Sequence, residues 1–278
     1  MKTVSAARSY AGTQFVYEFD SKALKGPTRI GLYVPDLAAD KALPTLVWLS
    51  GLTCTEDNFV AKAGAQRVAS QLGVIVIAPD TSPRGETVPD DPEGAWDFGL
   101  GAGFYVNATQ EPWAEHYQMR SYVETELVDA CASVANIDRN RVGIFGHSMG
   151  GHGALTIGLR NPLVFKSISA FAPICSPLNC PWGEKALGNY IGDNRDHWRE
   201  YDACALLADG ARTLALLVDQ GDADNFLQDQ LKPELLAGAC DKAGVQLDLR
   251  MQSGYDHSYF FISSFMEDHL RWHAAQLG

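Results

Sequence analysis

Three groups of residues in this sequence have the types and spacing to carry out nucleophilic chemistry together. The first is Gly146-His147-Ser148-Met149-Gly150-Gly151, set between an apolar strand-like run at 142–145 and a small-residue segment of helical character at 154–160. G-x-S-x-G in that setting reads as a nucleophile elbow, a sharp strand-to-helix turn that holds its serine in a strained backbone conformation. Glycine on either side leaves room where the strand and helix crowd the turn. A helix starting just after Ser148 directs its unpaired N–H groups and positive dipole end at the reacting centre. A serine hydroxyl is a poor nucleophile until an imidazole takes its proton and a carboxylate orients that imidazole. Of the seven histidines, only His257 follows a strand-ending loop, Gly254-Tyr255-Asp256. His147 and His152 flank the elbow, where a side chain beside the serine is expected to point away, so both are assigned to packing. His116, His197, His269 and His273 read as loop or helix-surface residues. For the carboxylate there are three candidates, Asp219, Asp222 and Asp224. Spacing does not choose among them, and any can instead cap the helix expected from about Asn225.

These groups require elements to position them. Residues 14–19 and 28–35 read as an antiparallel pair around the Gly26-Pro27 turn. Runs at 46–49, 74–80 and 213–218 read as buried strands, and further strands are expected at 142–145 and 167–174. A final strand is expected at 245–251. Helices are expected at 58–72, 121–135 and 226–243, with a last one from 258 to about Ala275. Alternation without linker or repeat predicts one domain over 1–278, an α/β fold whose mostly parallel central sheet carries helices on both faces. Catalytic residues of such sheets gather at the strands' carboxyl ends. Serine, acid and histidine in that chain order is the α/β-hydrolase arrangement. Two stretches read as irregular. One, 81–117, holds six aromatics, Trp96, Phe98, Phe104, Tyr105, Trp113 and Tyr117, and is expected to be ordered. The other, 175–200, holds two tryptophans.

Composition limits the partners. Hydrophobic content of 46% and charged content of 20% are those of an ordinary globular protein. The net charge of −12, from 22 basic and 34 acidic residues, argues against nucleic acid and anionic membrane as partners. No apolar run approaches the length of a membrane span. Residues 1–13 lack the apolar core of a signal peptide. The six cysteines, at 54, 131, 175, 180, 204 and 240, have no CxxC spacing and read as reduced thiols without a zinc site. A cytoplasmic protein is expected.

The sequence resembles the S-formylglutathione hydrolase, or esterase D, family. The matching segments are Trp48-Leu49-Ser50-Gly51-Leu52-Thr53-Cys54-Thr55, Asp80-Thr81-Ser82-Pro83-Arg84-Gly85 and Trp96-Asp97-Phe98-Gly99 with Gly101-Ala102-Gly103-Phe104-Tyr105-Val106. The elbow through Ala154 matches too, as do Asp224-x-Phe226-Leu227 and Gly254-Tyr255-Asp256-His257-Ser258-Tyr259. The resemblance implies Ser148 as nucleophile, Asp224 as the acid, His257 as the base, and an oxyanion hole from the backbone N–H groups of Leu52 and Met149. It implies hydrolysis of S-formylglutathione to glutathione and formate in formaldehyde detoxification, with no metal or organic cofactor, and it suggests a homodimer. A general short-chain carboxylesterase on the same scaffold is the alternative; a non-catalytic binding protein would be expected to have lost one of the three groups. Trp96, Phe104 and Trp182 are candidates for the wall of a tight acyl pocket, core packing being the other reading. Cys54 either borders that cavity or packs as a small hydrophobe.

Overall fold

The computed structural model describes all 278 residues. Nine strands form one sheet: β1 (Lys2–Arg8), β2 (Gly12–Ser21), β3 (Gly26–Pro35), β4 (Leu43–Leu49), β5 (Ile75–Pro79), β6 (Ile137–His147), β7 (Phe165–Phe171), β8 (Ala215–Gly221) and β9 (Gln246–Gln252). Their spatial order is β1-β2-β3-β5-β4-β6-β7-β8-β9. The joins from β1 to β3 and from β3 to β5 are antiparallel, and all others are parallel. The helices are α1 (Glu56–Lys62), α2 (Gln66–Leu72), α3 (Met119–Ser121), α4 (Leu127–Ala132), α5 (Met149–Arg160), α6 (Pro181–Ile191), α7 (Arg195–Trp198), α8 (Ala203–Ala208), α9 (Pro233–Ala243) and α10 (Tyr259–Leu277).

The two faces of the sheet are covered by different helices. A side chain on Gly143 of β6 would meet His273 of α10, whereas one on Gly158 of α5 would meet Ile144 and Ile168. Neighbouring strand residues point to opposite faces, so α5 and α10 sandwich the sheet between them. The runs in β4 and β5 are buried accordingly. The long 81–117 stretch is ordered by its aromatics. Phe98, Phe104, Tyr105, Trp113 and Tyr117 are buried, and Tyr190 of α6 packs against Phe98, Trp113 and Tyr117.

Several elements depart from the sequence reading. The helix expected at 58–72 is two helices, broken where Gly64 takes φ +69°. The helix expected at 226–243 is a π-turn over Leu227–Leu231 followed by α9, with Lys232 left-handed between them. The irregular 175–200 stretch contains α6, with proline at its first position and Gly192 at its C-cap. β1 has no buried face, so it carried no pattern to read.

His269 and His273 are not surface residues: both are wholly buried. They join a chain of polar groups across the α10 face of the sheet. His273 contacts Ser167 Oγ through Nδ1 at 2.6 Å and Ser169 Oγ through Nε2 at 2.8 Å. His269 contacts Ser169 Oγ through Nδ1 at 2.7 Å and Asp219 through Nε2 at 3.1 Å. One assignment satisfies every member. Ser167 donates to His273, His273 to Ser169, Ser169 to His269, and His269 to the Asp219 carboxylate. Both rings are then neutral. Burial holds both imidazoles below the usual histidine range, outweighing the pull of Asp219 on His269. Burial also lowers His147, and takes His152 to about 4. Groups lowered on folding bind more protons when unfolded, so stability falls as pH drops through the ordinary histidine range. We expect Tm at pH 5 to lie roughly 5–10 °C below that at pH 7.5. A flat Tm between those values in a thermal melt would show that these histidines are not buried neutral.

Candidate active site

The elbow is built as its sequence requires. Ser148 has φ +58° and ψ −119°, between the last residue of β6 and the first of α5. A Cβ on Gly146 would lie 2.3 Å from the carbonyl oxygen of Gly150 and 2.6 Å from that of Leu49. At Gly150 it would lie 2.0 Å from the carbonyl oxygen of Leu49. Neither position has space for a side chain. The turn is pinned by the Ser148 N–H donating to the Phe171 carbonyl at 3.0 Å. Its own carbonyl accepts from His152 and Ile174 at 2.9 and 3.2 Å.

Opposite the elbow runs the loop after β4. Gly51 packs so closely that a Cβ there would be 3.2 Å from Ser148 Cβ. Neighbouring residues hold the loop rigidly. Tyr105 donates to the Ser50 carbonyl at 2.9 Å, Trp48 to Ser50 Oγ at 2.8 Å, and the Thr53 N–H to the Gly101 carbonyl at 2.9 Å. No hydrogen bond in the protein uses the N–H of Leu52 or Met149. Two free donors thus flank the serine, at the positions where an oxyanion hole belongs.

Asp224 and His257 arrive on two tied loops. After β8, the Asp222 N–H donates to the Gln252 carbonyl at 3.1 Å and the Ala223 N–H to the Tyr255 carbonyl at 3.0 Å. His257 is fixed between an Asp256 turn, whose carboxylate accepts from Ser258 N–H at 3.0 Å, and the Ser258 cap of α10. Its Nδ1 lies 2.5 Å from Asp224 Oδ2. The Asp224 carboxylate also accepts from Phe226 N–H at 2.8 Å and from Gln220 Nε2 at 3.3 Å, and its side chain is wholly buried.

The other two acidic candidates are engaged elsewhere. Asp219 lies within β8 and accepts from Arg250, Gln252 and His269. Burial raises its carboxyl, but the His269 and Arg250 hydrogen bonds outweigh that and hold it below the usual range. Asp222 accepts from the Gly254 N–H at 2.7 Å, bracing the loop that carries His257.

Ser148 and His257 line one cavity of about 240 Å³, together with Leu52, Cys54, Trp96 and Trp182. The sequence reading missed Phe226, Tyr259 and His147, which also line it. Phe226 bridges Trp182 and His257, with ring centroids 4.7 and 5.0 Å away, and Trp96 stands edge-on to Trp182 at 5.7 Å. These rings make a continuous aromatic wall. Its outer member, Trp96, is 55% exposed. Phe104 is not part of that wall. It is fully buried, and its carbonyl lies 3.0 Å from His152 Nε2. His147 does not point away, because the sharp turn at Ser148 leaves its ring 4.3 Å from that of His257. Its Nε2 has no partner, and burial followed by the nearby His257 keeps the ring neutral.

Cys54 stands in this cavity while Cys131, Cys175, Cys180 and Cys240 are buried. Burial pushes its thiol up, with Tyr259 opposing only in part, so little thiolate forms at neutral pH. A small maleimide should therefore inactivate slowly, an occupant of the cavity should protect, and Cys54→Ser should stay active and resist. Equal inactivation rates for wild type and Cys54→Ser would place the sensitive thiol elsewhere.

The family model described as "Putative esterase" matches residues 21–272 of the chain. A solved S-formylglutathione hydrolase from Agrobacterium tumefaciens is 50% identical and superposes with a TM-score of 0.98, each chain covered completely. The S-formylglutathione hydrolases of Rattus norvegicus and Mus musculus are 47% and 48% identical, covering 100% of this chain and 99% of each relative.

Proposed function

This chain belongs to the esterase family, alongside the S-formylglutathione hydrolases, and we propose from that premise that it hydrolyses S-formylglutathione to glutathione and formate on a Ser148–His257–Asp224 triad. The hydrogen bond of 2.5 Å between His257 Nδ1 and buried Asp224, made at the rim of the cavity that holds strained Ser148, carries the assignment of roles. Asp224 fixes the Nδ1–H tautomer, so Nε2 is the free base. As Ser148 Oγ attacks the formyl carbon, Nε2 takes the hydroxyl proton and the carbonyl oxygen becomes an oxyanion. The Leu52 and Met149 N–H groups receive that charge, each donor being worth roughly 3 kcal/mol. Collapse breaks the carbon–sulfur bond. Glutathione leaves with the proton from His257, and a formyl ester remains on Ser148. Water, deprotonated by His257, then attacks that ester, and formate departs as the proton returns to Ser148.

Thiolate is a good leaving group, so oxyanion stabilisation is the main demand, and two free N–H donors meet it. No helix is long and apolar enough to cross a membrane. We place the enzyme in the cytoplasm, a reading supported by its six free cysteines, and we take the homodimer suggested by the family as its assembly. A serine-directed phosphonate should add once per chain, at Ser148, and should not add to Ser148→Ala; intact-mass analysis showing a stable adduct on another residue would overturn the assignment.

A further inference from the structure

A second cavity, of about 680 Å³, lies among β1, β2, β3 and the start of α1, and shares no lining residue with the active-site cavity. Its size is that of a small-molecule site. Six charged groups line it: Glu18, Arg29, Glu56, Asp57, Asp80 and Arg84. Most are already matched. Arg84 pairs with Asp80 through two hydrogen bonds of 3.0 and 2.8 Å, and Arg29 pairs with Glu18 at 3.1 Å. Glu56 is different. Only 6% exposed, its carboxylate has no hydrogen-bond or ion-pair partner on any other residue. Burial pushes this carboxyl up, with Asp80 adding to the shift and Arg29 opposing it. A largely buried carboxylate that meets no donor side chain is poorly solvated, and this one opens onto a cavity large enough to admit a partner. Exposed Asp57 adds a second negative charge at the rim, giving four carboxylates against two guanidinium groups.

The excess of carboxylates over guanidinium groups favours a cation as occupant. No group of three or more metal-ligating side chains converges there, so a metal ion would lack its ligands. A cation bringing its own N–H donors needs only acceptors, and Glu56 and Asp57 supply them. We propose that this cavity binds a small organic cation bearing a primary ammonium or guanidinium group, seated on the Glu56 carboxylate. The site adjoins the loop that carries Leu52, because Arg84 also donates to the Cys54 carbonyl at 3.3 Å.

Isothermal titration of the intact protein at low ionic strength with n-butylammonium and with n-butylguanidinium tests this. At least one should bind saturably to wild type, and Glu56→Gln should weaken it roughly 10-fold or more, as for loss of a charge-assisted hydrogen bond. Tetramethylammonium, which has charge but no N–H, should bind far more weakly. Ser5 is an exposed residue of β1 on the cavity wall, so Ser5→Arg puts a guanidinium into the cavity without disturbing the core. That variant should lose binding even if Glu56→Gln folds poorly. Absence of saturable binding to wild type, unchanged affinity in either folded variant, or equal binding of tetramethylammonium would overturn the proposal.

Discussion

Ser148→Ala and His257→Ala should each lower kcat for thioester hydrolysis by roughly 10,000-fold or more, and the double variant should be hardly worse. The near-equality matters as much as the size, because groups acting as one unit are lost together. Asp224→Asn should also cost roughly 10,000-fold, since an amide at Oδ2 no longer fixes the Nδ1–H tautomer of His257. Asp222→Asn should be mild in kcat, because its contact with the Gly254 N–H only braces the loop. Asp219→Asn should act differently. It breaks the pairing with Arg250 and His269 deep in the fold, so its effect should appear in Tm before kcat. Kinetics on the folded variants check the ranking. If Asp219 or Asp222 proved the most damaging to kcat, the acid would have to be reassigned.

Gly150→Ala should destabilise the protein by about 3 kcal/mol or more and abolish activity in whatever folds. The new methyl would sit 2.0 Å from the Leu49 carbonyl oxygen and 2.5 Å from that of Ser50, both backbone atoms. Relieving the clash means moving either β4 or α5, and with them Leu52 or Met149. Gly238→Ala is the control. It lies within α9 with nothing within 4 Å of its Cβ position. There alanine should stabilise by up to about 1 kcal/mol through helix propensity. Denaturant melts of the two variants would separate them, and a Gly150→Ala protein as stable as wild type would show that the elbow is not so tightly closed.

The contrast between these glycines also explains what the sequence could reveal. The elbow was legible because its chemistry is local: the strand, the turn and the helix of Ser148 are contiguous, and the small residues the turn requires are visible as such. The choice among Asp219, Asp222 and Asp224 was not legible from spacing, because their separate fates are set by Arg250, His269, Gly254 and His257, all far along the chain. Only the family resemblance pointed to Asp224. His269 and His273 were misplaced by residue type, although a signal existed. The buried positions of α10, among them Ile262, Met266, His269, Leu270, His273 and Leu277, follow helical spacing, which puts both histidines on the apolar stripe. For α6 the signal was Pro181 at the first helical position and Gly192 at the end. For β1 there was none, since all its side chains are exposed and pairing with β2 alone defines it. His147 was missed for a geometric reason: rules for strand side-chain direction fail across a turn with φ +58°.

The central claim, hydrolysis of S-formylglutathione, is tested most directly by kcat/KM on that thioester measured beside S-acetylglutathione and p-nitrophenyl acetate. The acyl group must sit against Ser148 in the cavity of about 240 Å³ that Trp96, Trp182 and Phe226 help to line. The family reading implies a tight acyl pocket at the serine, where steric rejection of an added methyl outweighs what its burial gains. The formyl thioester should therefore be the best substrate, with acetyl roughly 10- to 100-fold lower and the oxygen ester lower again. Equal efficiency on formyl and acetyl thioesters, or a preference for the ester, would contradict the account and mark the protein as a general short-chain esterase.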